Sequence, residues 1–399
     1  MDMFARFRFA GLSRLTVLSF LLFGFTTSFA SELIDSTRSG DLETVASLIT
    51  DGSDLNEVTG DGMTAVHWAA QLGHVSILES LLDAGAEVNP TTRIGSYTPL
   101  HLASSQANSE IVRTLLEGGA DVSATTTNSF ATALHLAAQE VGGAESVEVL
   151  LEYSADPNAK EGSAGQTPLM FAAARNRVES VELLLDAGAD PSISTTVVDV
   201  LQQVFADRQA SRFLREELSE YISNDRVMDA SGDYVSAETA TKDNEPSVDE
   251  VQAAIRAQRE FLQSGEAYRD FNEEALVNHR PDYPEGPDLP RPPYRETLVG
   301  ATGGMTALLH AAREGSSEAA MALLKGGADV NQVSGGDETS PLLIATLNGQ
   351  FDLAMLLTSQ GADPNLVANT DGSGPLFAVL QTQWAPKSHY PQPRAQDLQ

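Results

Sequence analysis

The chain contains no cysteine among its 399 residues. Disulfide bonds, thiolate nucleophiles and cysteine-ligated metal centres are therefore excluded. Basic residues are also few: 24 Lys and Arg stand against 56 Asp and Glu, and the formal net charge is −32. A surface this acidic repels nucleic-acid phosphates and anionic lipid headgroups. We therefore expect neither nucleic acid nor a membrane surface as a partner, and favour a basic protein or a cation.

The N-terminal segment lacks an apolar run long enough to span a membrane, because residues 15–25 form only a short one. Three arginines precede this run, and the small residues Ser28 and Ala30 follow it. This order is typical of a Sec-type signal peptide, here residues 1–30, cleaved after Ala30. An uncleaved anchor is the alternative, which the good cleavage pattern disfavours. We expect export, most plausibly to a bacterial periplasm, and no membrane insertion after cleavage.

What the chain does contain is a unit that returns at a nearly fixed period. Thr64, Thr98, Thr132 and Thr167 are spaced 34, 34 and 35 residues apart, and Thr306, Ser340 and Gly374 continue at 34 and 34. Such a period predicts a solenoid of small units, each of which cannot bury its apolar face alone.

One unit, residues 98–121, shows how each repeat is expected to fold. Thr98 suits a helix N-cap, and Pro99 suits the first helical position. A second helix follows with the apolar spacing of a buried stripe, at Ile111, Val112, Leu115 and Leu116. Gly119 then ends this helix in a left-handed conformation. The pattern predicts two antiparallel helices and a projecting loop.

These residues resemble the ankyrin repeat, with its Thr-Pro-Leu-His start and its Gly-Ala-Asp end. The end motif recurs in register with the helix starts at Gly85-Ala86-Glu87, Gly119-Ala120-Asp121, Ser154-Ala155-Asp156, Gly188-Ala189-Asp190, Gly327-Ala328-Asp329 and Gly361-Ala362-Asp363. The resemblance implies an all-α ankyrin-repeat solenoid with a long irregular and helical insertion. It also implies that the inner helices and the projecting turns line a concave, protein-binding face.

The repeats predict a division of the chain into four parts. Residues 1–30 are the signal peptide, and residues 31–195 hold an N-terminal cap and four repeats. Residues 196–302 are an insertion with amphipathic helices at 197–205 and 211–222, a mobile loop at 225–246, a helix at 247–263 and a Pro-rich strap at 281–293. Residues 303–399 hold two full repeats and a third whose first helix is expected to end near Gln381, before Trp384 and three prolines. This last repeat looks cut short.

No motif for catalysis, cofactor binding or metal binding is found. Phosphate-loop and Gly-x-Ser-x-Gly motifs are absent, and residues 54–62 resemble part of a calcium loop but lack its bidentate acid. Three histidines share one position in successive units, without a partner acid or nucleophile: His67, His101 and His135. Because ankyrin histidines usually brace the turn, we interpret them as structural. We expect no catalytic residue, no cofactor and no metal.

The candidate binding residues lie in the turns that precede the inner helices, where repeat folding does not require apolar or aromatic groups. They are Asp61, Met63, Arg93, Tyr97, Phe130, Gln166 and Met305. Exposed Tyr, Met, Phe and Arg have the composition of a protein interface. The alternative is that these side chains pack between neighbouring turns.

The sequence thus favours a non-enzymatic, exported, monomeric scaffold that binds an unidentified protein through the concave face of the repeats. The alternative is an accessory or inhibitor of an envelope enzyme that acts through the 196–302 insertion. Deletion of the insertion separates the two, because lost partner binding with intact repeats would favour the second.

Overall fold

The computed structural model describes residues 32–219, 226–228, 234–236, 248–271, 301–370 and 372–384. The predicted signal peptide and the Pro-rich strap at 281–293 lie outside these residues. Helices dominate the described part, which confirms the predicted all-α solenoid.

The repeats alternate a short inner helix with a slightly longer outer helix. Before the insertion, the helices are α1 (Glu32–Ser39), α2 (Leu42–Thr50), α3 (Ala65–Leu72), α4 (Val75–Asp83), α5 (Pro99–Ser105), α6 (Ser109–Glu117), α7 (Ala133–Gln139), α8 (Ala144–Glu152), α9 (Pro168–Ala174) and α10 (Val178–Asp186). The insertion contains α11 (Val200–Ser219) and α12 (Val248–Gln263). After it come α13 (Ala307–Glu314), α14 (Ser317–Lys325), α15 (Pro341–Leu347), α16 (Phe351–Ser359) and α17 (Pro375–Trp384).

The helix starts follow from the capping residues seen in the sequence. The Thr64 side chain accepts a hydrogen bond from the His67 amide at the start of α3, and Thr306 caps α13 in the same way. Gly73 and Gly315 end these helices at φ 77°, a left-handed conformation that suits glycine. In α6 the predicted stripe is buried, and Leu115 is 0% exposed.

Contacts divide the chain into two units. The first comprises the residues up to Ala103 together with Glu110–Asp121, and the second comprises Ser104–Ser109 and the chain from Val122 onwards. In the first unit α1 packs on α3, and α2 packs on α4. In the second unit α7 packs on α9, and α8 packs on α10.

The insertion interrupts the sequence of the second unit but not its stack of helices. Although more than 100 residues separate them, α9 packs directly on α13, and α10 packs on α14. Strands β1 (Val197–Asp199) and β4 (Ala301–Gly303) pair antiparallel at the root of the insertion, with Val197 opposite Gly303. The repeats before and after the insertion are therefore structural neighbours.

The described part of the insertion forms a helical module. Helices α11 and α12 pack together, with the Phe213 and Phe261 rings stacked at 4.8 Å. A short 3-10 turn at Glu266–Tyr268 contacts both helices. Ala206 and Ala210 are buried in α11.

Two expectations for the insertion are wrong. The helices predicted at 197–205 and 211–222 are a single helix, α11, because no Pro or Gly separates the two segments and the connecting alanines are buried. Residues 197–199 form β1 instead, with a partner too distant in sequence for a local pattern to show. The segment predicted to be a mobile loop contains two paired strands, β2 (Arg226–Met228) and β3 (Tyr234–Ser236).

The last described helix is longer than expected. Helix α17 extends to Trp384, beyond the predicted end near Gln381, and packs on α15. Its Ala378 is buried with Leu343, whereas Leu376 is 74% exposed. The three prolines that follow lie outside the described residues. Nowhere in the described ranges does a helix have both the length and the apolar character needed to cross a membrane.

Candidate partner-binding surface

The projecting turns are hairpins closed by one recurring main-chain hydrogen bond. It joins Thr92 N to Tyr97 O at 3.0 Å in the first unit, and Glu161 N to Gln166 O at 2.9 Å in the second. The same bond joins Thr195 N to Met305 O at 3.0 Å, with the whole insertion between its two residues. The insertion therefore emerges from the tip of a hairpin that otherwise resembles the others.

Buried histidines connect each inner helix to a turn. In the second unit, His135 Nδ1 accepts from the Thr132 amide at 3.2 Å, and its Nε2 lies 3.1 Å from Gln166 O. Because Nδ1 is an acceptor, Nε2 carries the proton and donates it to that carbonyl. Burial lowers the pKa of His135, which keeps the ring neutral. These contacts give the repeated position of the histidines a structural explanation.

The same arrangement recurs in the first unit. His67 Nε2 lies 3.0 Å from Tyr97 O, while its Nδ1 accepts from the Thr64 amide at 3.1 Å. Burial lowers the pKa of His67. At the equivalent position of the next repeat, His101 Nδ1 accepts a hydrogen bond from the Thr98 amide at 3.2 Å.

Four of the candidate binding residues lie on neighbouring hairpins of the first unit. The Arg93 amide donates to Asp61 O at 2.8 Å, so these hairpins are joined through their main chains. The side chains of Asp61 and Arg93 are exposed, whereas those of Met63 and Tyr97 are half-buried. Hydrogen bonds from Thr59 and the Met63 amide hold the pKa of Asp61 below its usual value. The Asp61 carboxylate is therefore held in its ionised form, on a hairpin whose main chain is bonded to that of Arg93.

Tyr97 combines packing with partial exposure. Its ring meets His101 edge-on, with the ring centroids 6.1 Å apart and the planes at 81°. A Cβ at Gly95 would lie 2.5 Å from the Tyr97 ring, so the turn folds closely around the tyrosine. Part of the Tyr97 ring therefore packs against its own turn, which agrees in part with the alternative that these side chains serve packing.

Phe130 is the most exposed aromatic candidate. Its side chain is 55% exposed, and its main chain has φ 55°, which few non-glycine residues adopt. The ring lies against Gly162 of the next hairpin, where a Cβ would come within 2.5 Å of it. One face of the ring therefore packs on a neighbouring turn while the rest remains open to a partner.

Gln166 and Met305, far apart in sequence, meet around two residues of α13. The amide nitrogen Nε2 of Gln166 lies 3.4 Å from His310 Nε2. Arg313 Nη1 lies 3.8 Å from Met305 Sδ, and Arg313 Nη2 lies 3.4 Å from His310 Nδ1. Burial, with a smaller contribution from the Arg313 charge, lowers the pKa of His310 to about 4. The imidazole is therefore neutral at physiological pH.

Gln166, His310 and Arg313 line a cleft of about 640 Å³ between the inner helices of the second unit. Its lining comprises Gln139, Gln166, Met170, Phe171, Ala174, Arg175, Asn176, Arg177, His310, Arg313, Glu314 and Ser316. The apolar part comes from α9, where the Phe171 ring meets His135 edge-on at 5.4 Å. The volume falls in the range of ordinary ligand clefts.

The arginines of this cleft are the functional candidates that sequence reasoning missed. Arg175 and Arg177 flank Asn176 in the turn between α9 and α10, and Arg313 lies in the last turn of α13. An Arg-Asn-Arg sequence in so acidic a chain was a visible signal. Nothing in the sequence signalled that Arg313 lies near these two arginines, because that proximity depends on the direct stacking of repeats across the insertion.

Over the ranges that the structure describes, no group of three or more His, Asp or Glu side chains is placed to hold a metal ion. The cleft contains three arginines, one neutral histidine and one glutamate, with no serine or threonine activated by a base among the contacts described above. The geometry suits binding through charge and shape.

A family model described as ankyrin repeats matches residues 33–126, 124–195 and 292–368, which together make up more than half of the chain. Among the curated proteins, no match is found. Ankyrin repeats generally mediate interactions between proteins, and members of the family are typically non-enzymatic. With its capped helix pairs, bracing histidines and projecting hairpins, the chain belongs to the ankyrin repeat family.

Proposed function

We propose that the chain is a non-enzymatic, exported scaffold that binds another protein through its inner-helix face and projecting turns. The observation that supports this most directly is Phe130, an aromatic ring 55% exposed on a turn at φ 55°. A large apolar group in that position is unnecessary for the repeat fold. Aromatic side chains with one packed face and one open face are frequent anchors of protein interfaces.

The net charge of −32 favours a basic partner surface outside the arginine-lined cleft. The segment order of residues 1–30 supports export to a bacterial periplasm. We further propose that the mature chain is monomeric and acts without a cofactor.

The second candidate function is an accessory or inhibitor of an envelope enzyme that acts through the 196–302 insertion. It is favoured by the module of α11 and α12, which has its own packed contacts and emerges from a hairpin tip. An insertion at that point can add a second surface without disturbing the stacked helices.

The experiment combines partner capture with a paired assay. The mature chain is used to capture binding proteins from a periplasmic extract, and the partner is then titrated against variants at Met63, Arg93, Tyr97, Phe130 and Gln166. We expect Tyr97→Ala and Phe130→Ala each to weaken affinity by about 1–2 kcal/mol. Thermal melts of the same variants should change little, because the turns contribute little to the core.

Leu115→Ala is the matched control. Because Leu115 is fully buried in α6, this change should cost roughly 2–5 kcal/mol of folding stability through a core cavity. If Tyr97→Ala and Phe130→Ala instead melt early yet bind normally, these side chains serve packing and the binding site lies elsewhere.

A further inference from the structure

The cleft of the second unit has a charge opposite to that of the whole chain. Three of the 24 Lys and Arg residues line it: Arg175, Arg177 and Arg313. Among its described lining residues the one carboxylate is Glu314, and that group is paired with Arg313 at 2.9 Å. Positive charge gathered in a cleft of so acidic a protein favours an anionic ligand.

Much of the hydrogen-bonding capacity of these arginines is unused. Arg175 is exposed, and within the described ranges its guanidinium has neither a hydrogen bond nor an ion pair. Arg177 donates through Nε to Gln139 O at 2.8 Å, which anchors the side chain and leaves its terminal nitrogens available. A guanidinium has five N–H donors, so an anchored arginine can still bind a ligand.

Carboxylates near the cleft are partly engaged elsewhere. Glu318 accepts a hydrogen bond from Asn176 Nδ2 at 2.6 Å. Glu140 and Glu179 line a separate cleft of about 290 Å³, which Arg177 also borders. In the described part of the chain, none of these three acids forms an ion pair with Arg175.

The polar end of the cleft brings hydrogen-bond donors together around His310. Gln166 Nε2 and Arg313 Nη2, both donors, face the two ring nitrogens of His310 at 3.4 Å. A neutral imidazole can accept at only one of its nitrogens, because the other carries a proton. An acceptor-only group that enters the cleft can therefore accept a hydrogen bond from Arg313 or Gln166.

Two of the helix ends at the cleft disfavour an anion of high charge. Arg175 and Arg313 lie at the C-terminal ends of α9 and α13, where a helix presents carbonyl oxygens and a partial negative charge. At these two ends a phosphate dianion would be repelled more strongly than a carboxylate. The flat fork of a guanidinium also matches the two oxygens of a carboxylate.

We propose that this cleft binds a carboxylate of the partner protein, from an Asp or Glu side chain or a free C-terminus, next to an apolar residue. The arginines hold the carboxylate, while Phe171 and Ala174 contact the apolar group. This inference rests on the proposed scaffold function and names the chemistry that one part of the scaffold recognises.

The test is an NMR titration of the mature chain that observes arginine Nε–H and methionine methyl signals. The probes are acetyl-Leu-Glu-amide, acetyl-Leu-Leu with a free C-terminus, acetyl-Leu-Gln-amide and inorganic phosphate, at constant ionic strength. At least one carboxylate peptide should shift Arg175, Arg313 and Met170 saturably, and the two carboxylate peptides distinguish a side-chain from a C-terminal source. The amide peptide should bind at least tenfold more weakly.

Arg175→Gln and Arg313→Gln should each weaken the preferred peptide about tenfold or more. Both positions are exposed, so these variants should fold, which thermal melts will check. Arg208→Gln, an exposed arginine on α11 outside the cleft, is the matched control and should bind normally. Equal binding of the carboxylate and amide peptides, tighter binding of phosphate, or no shift at Arg175 and Arg313 would overturn the proposal.

The two levels of the hypothesis fail separately. If no carboxylate peptide binds but Tyr97→Ala and Phe130→Ala still weaken the captured partner, the scaffold function stands and the carboxylate cleft is wrong. If the peptides bind at Arg175 while no protein partner depends on Phe130 or Tyr97, the cleft is real and the proposed binding surface is wrong.

Discussion

Asn158 fastens the loop that contains Asp190. Its Oδ1 accepts from the Asp190 amide at 2.8 Å, and its Nδ2 donates to Gly188 O at 3.1 Å. Asn89 and Asn331 make the same two bonds to Asp121 and Gly119 and to Asp363 and Gly361, respectively. Each of these asparagines comes two residues after the acid of a Gly-Ala-Asp-type motif, so in these three repeats one side chain connects the repeat to the next.

Asn158→Ala should lower the free energy of unfolding by about 1–2 kcal/mol, because it removes both bonds to the next loop. Denaturant unfolding measures the change. Asn365→Ala is the control: this asparagine has the same position in its motif, and in the described part of the chain it bonds locally to Asp363. We expect an effect within about 0.5 kcal/mol there. Equal losses in the two variants would show that the bonds between loops do not stabilise the stack.

Replacement of residues 199–301 by Asn-Gly should leave the second unit folded. Val198 and Thr302 are paired across the root, so a two-residue turn can connect them. Because a long loop is removed, the unfolding temperature should stay within about 3 °C of the full chain or rise. Calorimetry provides the measurement, and a large drop would mean that the stack depends on the insertion.

Gly304→Val is a control that should damage the same root. Gly304 has φ 67°, and an added Cβ would collide with the main chain of Gly335. We expect a loss of about 2 kcal/mol or more. Partner binding of the deletion variant then distinguishes the concave-face function from action through the insertion.

His310 should make stability depend on pH. Its pKa is about 4 in the folded chain and about 6.5 when unfolded, so the unfolded state binds more protons between these values. The contribution of His310 to the free energy of unfolding is therefore fully present above pH 6.5 and is lost as the pH falls toward 4. His310→Gln should reduce the slope of unfolding free energy against pH in this window by about 1 kcal/mol per unit.

Denaturant unfolding at a series of pH values gives this slope for both proteins. Direct titration of the His310 ring by NMR is the independent check. An unchanged slope together with an ordinary ring titration would mean that His310 is accessible to water and that its contact with Arg313 is weak.

Helix α17 should exchange its amide hydrogens faster than α15. Its Leu376, Phe377 and Leu380 are 74%, 54% and 52% exposed, so few apolar contacts hold it in place. Hydrogen exchange should show residues 374–381 much less protected than residues 342–347. Equal protection would indicate that another part of the protein covers this face.

Export should remove residues 1–30. N-terminal sequencing of exported protein should begin at Ser31, because the basic, apolar and small-residue order directs cleavage after Ala30. Membrane-bound material that retains Met1 would contradict the export proposal and favour an uncleaved anchor.

Local signals in the sequence predicted the repeats well. Thr64 is the N-cap of α3, because its hydroxyl accepts a hydrogen bond from the amide three residues later. Helix α12 ends at the predicted Gln263. The contacts between cleft residues from different repeats could not be predicted from local signals. Gln166 meets His310 across 144 positions, and that contact exists because α9 stacks directly on α13. Similarly, Val197 pairs with Gly303, and no pattern near either residue reveals the other.

The root formed by β1 and β4 also determines how firmly the repeats on its two sides are coupled. Closing a connection of about 100 residues costs roughly 2–3 kcal/mol more in chain entropy than closing an ordinary hairpin of about five. Helix α11 contacts both β1 and β4, so a folded α11–α12 module shortens the free part of the connection and removes part of that cost. Any ligand that stabilises the module would therefore tighten the junction between α9 and α13, whereas melting of the module would loosen the stack at this one position.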